Sequence, residues 1–176
     1  MLWRTHIVTG ASAGLLLAGQ TNVETAVASA SIAGLAALLP DIDSPQSKLG
    51  RLVPVIPRML SITVGHRGLL HSLVGALAMS LLATILIRIW YDQSFWVLLP
   101  LVLVGYVSHI LIDSLTNSGC PLLYPLPFHL RVPLFSTGSF AERLIAFPAM
   151  LFLFMWLSGP LVWGYVKNLI YIEGIF

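Results

Sequence analysis

The sequence predicts an all-α membrane protein, a bundle of about five transmembrane or partly re-entrant helices with two long loops, folded as a single domain over residues 1–176. Three observations lead there. Apolar residues make up 57% and charged residues only 9% of the 176 residues, far from a soluble composition. Long apolar segments alternate with polar, Pro-punctuated stretches at spacings that suit successive crossings of a bilayer. The nine Lys and Arg are scattered singly and fall mostly on one side of those crossings.

The first helix is expected over 5–19 and the second over 23–39, with a tight turn at 20–22 and a stop at Pro40. At 1.5 Å per residue each covers roughly 22–26 Å, short of the roughly 30 Å hydrocarbon core, so this hairpin is read as partly re-entrant or as thinning the bilayer. Gly10 and Gly14, opposite Ala30, Ala33 and Gly34, allow the two backbones to approach closely. The amino terminus imitates a secretory signal, with Arg4, an apolar run and the small residues Ala28-Ser29-Ala30. Thr21-Asn22-Val23-Glu24 argues for a helix instead, because it has the form of a capping box that opens a new one.

A polar loop over 41–65 leads to a third helix over 68–91, and Asp92-Gln93-Ser94 joins it to a fourth over 95–115. These two are long enough to span and form an antiparallel hairpin. A second loop, 116–139, is rich in Pro and Gly. The fifth helix, 140–172, starts at the capping box Ser139-Phe140-Ala141-Glu142 and is expected to kink at Pro148 and at Gly159-Pro160. No internal repeat or low-complexity tract is visible.

On this path Arg4, Lys48, Arg51, Arg58, Arg67, Arg131 and Arg143 share the side that holds the amino terminus and both long loops, against Arg88 and Lys167 on the other. Seven against two makes the first side cytoplasmic by the positive-inside rule. A net charge of +2 without a basic run speaks against nucleic acid as a partner. The single cysteine, Cys120, excludes an intrachain disulfide and a Cys-rich metal site.

The same side gathers His6, Asp41, Asp43, His66, His71, His109 and Asp113, all beside the ends of apolar helices. Imidazoles and carboxylates at a lipid boundary suit a hard or borderline divalent ion. His109 and Asp113, at i and i+4, lie about 40° apart on one helix face, as two ligands of one ion need. The alternative is a helical His–Asp hydrogen bond. Asp113 and, more strongly, Asp41 and Asp43 sit where the helix dipole is negative, so each carboxylate calls for a countercharge. The alternative there is a pair of solvated loop acids.

His66 and His71 bracket the start of the third helix. If both were helical they would point about 140° apart, so one lies on the inward stripe and the other reaches in from the loop. His71 is the better ligand, and His66 is left to orient a ligand, bind a second ion or move protons. His6 gains weight only in company with the others. Glu142 has a capping role and a site role open to it, and His129 has no spaced partner. Arg67, Arg51, Lys48 and Arg131 match phosphate oxygens, with Arg67 first because it stands between two candidate ligands; for Lys48 and Arg131 topology alone suffices.

Taken in order, Arg4 to Gly14 with His6, Pro40-Asp41-Ile42-Asp43, Gly65-His66-Arg67-Gly68 with His71-Ser72, Gly105-Tyr106 with Ser108-His109 and Asp113, and Glu142-Arg143 resemble the YdjM-like family. That family comprises LexA-regulated bacterial inner-membrane proteins classed as metal-dependent hydrolases. The likeness runs from about His6 to Arg143, and the ordered set is more specific than any one motif. A threonine that often precedes the second histidine of the family's His-Arg-Gly block is Leu70 here. The resemblance implies an inner-membrane location and a metal more firmly than it implies a reaction.

Together these readings lead to a multi-pass inner-membrane protein with a cytoplasmic amino terminus and two long cytoplasmic loops. One or two divalent ions, zinc or manganese by ligand type, would be held by His6, Asp41, Asp43, His71, His109 and Asp113. A metal-activated water would cleave an ester or phosphoester of a membrane lipid, with His66, Arg67 and Glu142 as further catalytic candidates. Two rivals stand beside it: a transporter or ion-binding protein, and a structural metal that clamps helix ends for a partner. A permeation path should stay polar across the bilayer, yet the far side carries only Arg88 and Lys167.

Overall fold

The computed structural model describes residues 1–19, 22–52 and 68–172, so His66 and Arg67 lie outside the described residues. What is described is helical, with no strand beyond two isolated bridges, Thr116–Phe135 and Cys120–Leu130, that pin the second loop together. In chain order come α1 (Trp3–Ala18), α2 (Val23–Ala36), a 3-10 turn (Leu39–Asp43), the short α3 (Lys48–Leu52) and a second 3-10 turn (Leu69–His71). Then follow α4 (Leu73–Trp90), α5 (Phe95–Asp113), a π turn (Glu142–Ala146) and α6 (Phe147–Ile172). Five long helices make the bundle, as the sequence predicts.

Four runs are long and apolar enough to cross a membrane: Val23–Asp43, Leu73–Trp90, Phe95–Asp113 and Glu142–Tyr171. The second helix departs from expectation because Pro40 does not stop it. α2 tightens after Ala36 and resumes as the 3-10 turn with Pro40 near its start, where a missing N–H costs nothing, so the run reaches Asp43. Its 21 residues span about 30 Å. Only α1, with 16 residues, stays short at about 24 Å.

Helix starts shift as well. The N-cap of α2 is Asn22 rather than Thr21, its side chain accepting from Thr25 N at 2.8 Å, so a single Asn cap stands in place of the expected capping box. α4 begins at Leu73, not at 68, because the Ser72 hydroxyl oxygen accepts from Gly75 N at 3.1 Å and ends the preceding turn. His71 therefore sits on a 3-10 turn instead of a helix face. α6 proper starts at Phe147, after the π turn, and continues through Pro160.

α1 is central, packing against α2, α5 and α6, while α5 also meets α2 and α4. Three glycines permit this. A Cβ on Gly10 would stand 2.6 Å from both Ala33 O and Ala37 Cβ, and one on Gly14 or Gly105 would run into Ser29 O or Ala33 O. Thr9 and Ser12 return their hydroxyls to carbonyls four residues back at 2.8 Å, which satisfies these two side chains without water. α6 leans on α1 and α2 through Phe154, Leu157 and Leu161. Its other face shows Phe152, Met155, Trp156 and Trp163 to the outside, as a lipid-facing helix would.

Gly105→Ala should lower stability by about 1–3 kcal/mol, the usual cost of overpacking, because the added methyl meets backbone that cannot turn away. Gly159→Ala, where nothing lies within 4 Å, should be neutral or stabilising. Thermal unfolding of the two variants in detergent checks the difference.

Candidate metal centre

The site is built where the start of α1, the end of the α2 run, the turn before α4 and the end of α5 meet. His6, His71 and His109 are each exposed by 1% or less, and Asp43 and Asp113 by 2%. Buried histidines in lipid-spanning helices need partners, and His109 shows how one is provided. Its Nδ1 lies 2.7 Å from Ala37 O, and since a carbonyl can only accept, Nδ1 carries the proton. In the neutral ring Nε2 then carries the lone pair. It has no hydrogen-bond partner among the described residues, and it faces Asp113 Oδ2 at 3.6 Å and Asp41 Oδ1 at 3.9 Å.

His6 stacks on His109 with ring centroids 3.7 Å apart and planes within 12°. The glycine seam explains the closeness, since Gly10 lies one turn beyond His6 and Gly105 one turn before His109. His6 Nε2 points to Asp113 Oδ1 at 3.3 Å. The i, i+4 pair from α5 thus brackets a second imidazole from α1, and His6, His109 and Asp113 offer three ligand atoms within 4.8 Å of one another.

The third wall comes from the two 3-10 turns, which touch each other. His71 meets His109 edge to face at 5.3 Å, and Asp41, His71 and His109 form a second trio within 4.8 Å. Tyr106 holds this wall by donating its hydroxyl to Leu70 O at 2.8 Å. Gly75 lets α4 start against Leu69 O, where a Cβ would not fit. Asp43 is buried on the same turn as Asp41 but belongs to neither trio. His129 is exposed in the second loop.

Comparison with known proteins bears on this arrangement. A family model described as YdjM inner membrane protein matches residues 1–172. The chain belongs to this family. Among relatives of the YdjM-family chain, the uncharacterized protein YvsG of Bacillus subtilis (strain 168) is 34% identical over 146 residues, covering 82% of this chain and 87% of that protein. Inner membrane protein YdjM of Escherichia coli (strain K12) is 39% identical over 127 residues, which is 69% of this chain but only 61% of the relative. No solved structure matches. Membership and four helices of spanning length make this an inner-membrane protein.

Other residues of this YdjM-family protein escaped the reading from spacing. The Ala37 carbonyl, Tyr106 and Gly105 set the geometry of the histidines without carrying metal-type chemistry, so no motif for ligands could flag them. The amino group of Met1 pairs with Asp113 Oδ1, giving that carboxylate a cation besides the imidazoles. Glu142, fully buried, turns out to be crowded with donors: Leu2 N at 2.5 Å, Thr5 Oγ1 at 3.2 Å and Gly138 N at 2.7 Å. Half of its expected capping box forms, with Ser139 Oγ accepting from Glu142 N at 3.1 Å, while the carboxylate reaches one residue further back, to Gly138.

Glu142→Ala should strand those three donors at the junction of α1 and the π turn. With a cost of about 1–3 kcal/mol for each buried donor left unsatisfied, the variant should unfold at clearly lower temperature, and circular dichroism on heating measures it.

Proposed function

We propose that this protein is a metal-dependent hydrolase of the inner membrane that cleaves an ester or phosphoester of a lipid at the cytoplasmic interface. The observation that carries the reading is His109, whose Nδ1 donates to the Ala37 carbonyl while its buried Nε2, without a hydrogen bond among the described residues, faces two carboxylates. A backbone carbonyl behind a metal-binding imidazole is a recurring way to fix its tautomer. The donor set fits a zinc or manganese ion.

His109 offers a single free nitrogen to both trios, so they describe the surroundings of one ion rather than two. His6, His71, Asp41 and Asp113 surround that point, and Asp43 is a buried carboxylate on the same turn as Asp41. A divalent ion bound there supplies a water acidic enough to act as a nucleophile near neutral pH. In the reaction the water oxygen joins the acyl carbon or phosphorus, the ester oxygen leaves, and the proton lost by water ends on that leaving oxygen. His66 as proton carrier and Arg67 as contact for an anionic head group are proposed from sequence. Glu142, with its oxygens engaged by three donors, is assigned a positioning role at the start of α1.

Location supports a lipid as substrate. A groove of about 550 Å³ with almost wholly apolar walls runs between α2 and α4 over Val102 of α5. It begins at Leu39, two residues before Asp41, and ends at Tyr91. From Ala28 to Leu39 it extends about 16 Å, roughly half of the ~30 Å hydrocarbon core, which suits the acyl chain of one leaflet. A second reading, ion passage, draws on Ser80 and Thr84, buried hydroxyls one turn apart on α4 without hydrogen-bond partners among the described residues. Ion flux in liposomes with no turnover on any ester would favour it.

Purified protein should contain about one equivalent of zinc or manganese by elemental analysis, and His109→Ala and Asp113→Asn should each lose most of it. Hydrolysis of a phospholipid panel should stop with chelator and return with metal; turnover that survives both the chelator and His109→Ala would end the proposal. Ala83→Phe, on the groove wall, should raise KM for long-chain lipids at least fivefold while leaving a short, water-soluble phosphoester unchanged. Steady-state kinetics on the two substrate classes checks it.

A further inference from the structure

A second pocket, of about 400 Å³, opens between the start of α1 and the start of α6 and shares no lining residue with the apolar groove. It is lined by Leu2, Trp3, Arg4, Thr5, Arg143 and Phe147. Arg4 and Lys48 both converge on the Trp3 ring, with the guanidinium carbon and the ammonium nitrogen each 5.4 Å from its centroid. Each gains from the ring, but two cations over one indole repel each other. None of Arg4, Lys48 and Arg143 has an ion-pair partner among the described residues. Glu142, next to Arg143 in sequence, spends its oxygens on Leu2, Thr5 and Gly138. Two cations, Arg4 and Arg143, therefore line the pocket, Lys48 stands by its Trp3 wall, and no acidic side chain is among the lining residues.

We propose that Arg4, Arg143 and Lys48 seat the phosphate of an anionic phospholipid, with its head group in this pocket. Guanidinium forks match phosphate oxygens, and a cationic concavity draws negative charge to itself. The remaining walls identify the source of the phosphate. Leu2, Trp3 and Phe147 are apolar, and Phe147 opens α6 within the spanning run Glu142–Tyr171, so the pocket lies at the hydrocarbon boundary where tryptophan belts form. A free phosphate would gain nothing from those walls, whereas a lipid places glycerol and the upper acyl chain against them. The seat adjoins the metal centre through Thr5, which bonds Glu142, yet it uses none of the proposed ligands and does not rest on hydrolysis.

The test uses the full chain in dodecyl maltoside, titrated by calorimetry with short-chain phosphatidylglycerol, diacylglycerol of the same chain length and inorganic phosphate. Phosphatidylglycerol should bind at one site, at least tenfold tighter than either of the others. R4Q/R143Q should weaken it at least tenfold, R4K/R143K should keep most of the affinity, and R88Q/K167Q should bind as the parent does. Should R4Q/R143Q fail to fold, K48Q, at an exposed position of α3, is measured in its place and should cost at least threefold. The proposal is overturned if the glutamine variant that folds binds like the parent, if diacylglycerol or phosphate binds as tightly as the lipid, or if R88Q/K167Q weakens binding equally.

Discussion

Everything at the buried end of this bundle depends on how closely three backbones approach one another at Ala33. Helices in lipid gain little from burying apolar side chains, so contact must come from small residues that allow dense packing. Gly10 and Gly14 bring α1 onto α2, and Gly105 brings α5 onto the same carbonyl from the other side. The result reaches one turn further along each helix. His6 and His109 can stack at 3.7 Å only because their helices are already that near, and Ala37 O can meet His109 Nδ1 only because α2 ends there.

Two carboxylates a few ångströms from this seam show how different the same group becomes with different neighbours. Glu142 receives three donors and acts as a brace between the first residues of the chain and the π turn. Asp113 instead faces the Met1 amino group and the Nε2 atoms of two imidazoles, neither of which has a hydrogen bond among the described residues. A buried carboxylate satisfied by neutral donors braces a fold, whereas one that collects an ammonium group and two imidazoles marks a place where positive charge is stabilised. Both residues read alike in sequence, as an acid beside a helix end.

Much of the architecture was legible because it rests on local rules. Apolar length marks the spans, and alternate crossings bring His6, Asp41, His71, His109 and Asp113 to one end whatever the loops do. The i, i+4 spacing of His109 and Asp113 survives intact for the same reason. What was hidden depends on contacts between segments distant in sequence. Asn22 wins the cap from Thr21, Pro40 tightens a helix instead of ending it, and Ser72 delays α4 so that His71 stays on a turn. The Tyr106 hydroxyl bonds a carbonyl 36 residues away, which no periodicity could announce.

The shielding of the donors is uneven. Asp41 has 23% of its side chain open to the outside, against 3% for Asp113 and none for His6 or His109. Asp41 is thus the outer edge of the donor cluster among the described residues, while the stacked imidazoles of His6 and His109 form its buried back wall. Among the described donors, solvent therefore reaches the cluster most readily at Asp41, on the 3-10 turn that also carries Leu39 of the apolar groove.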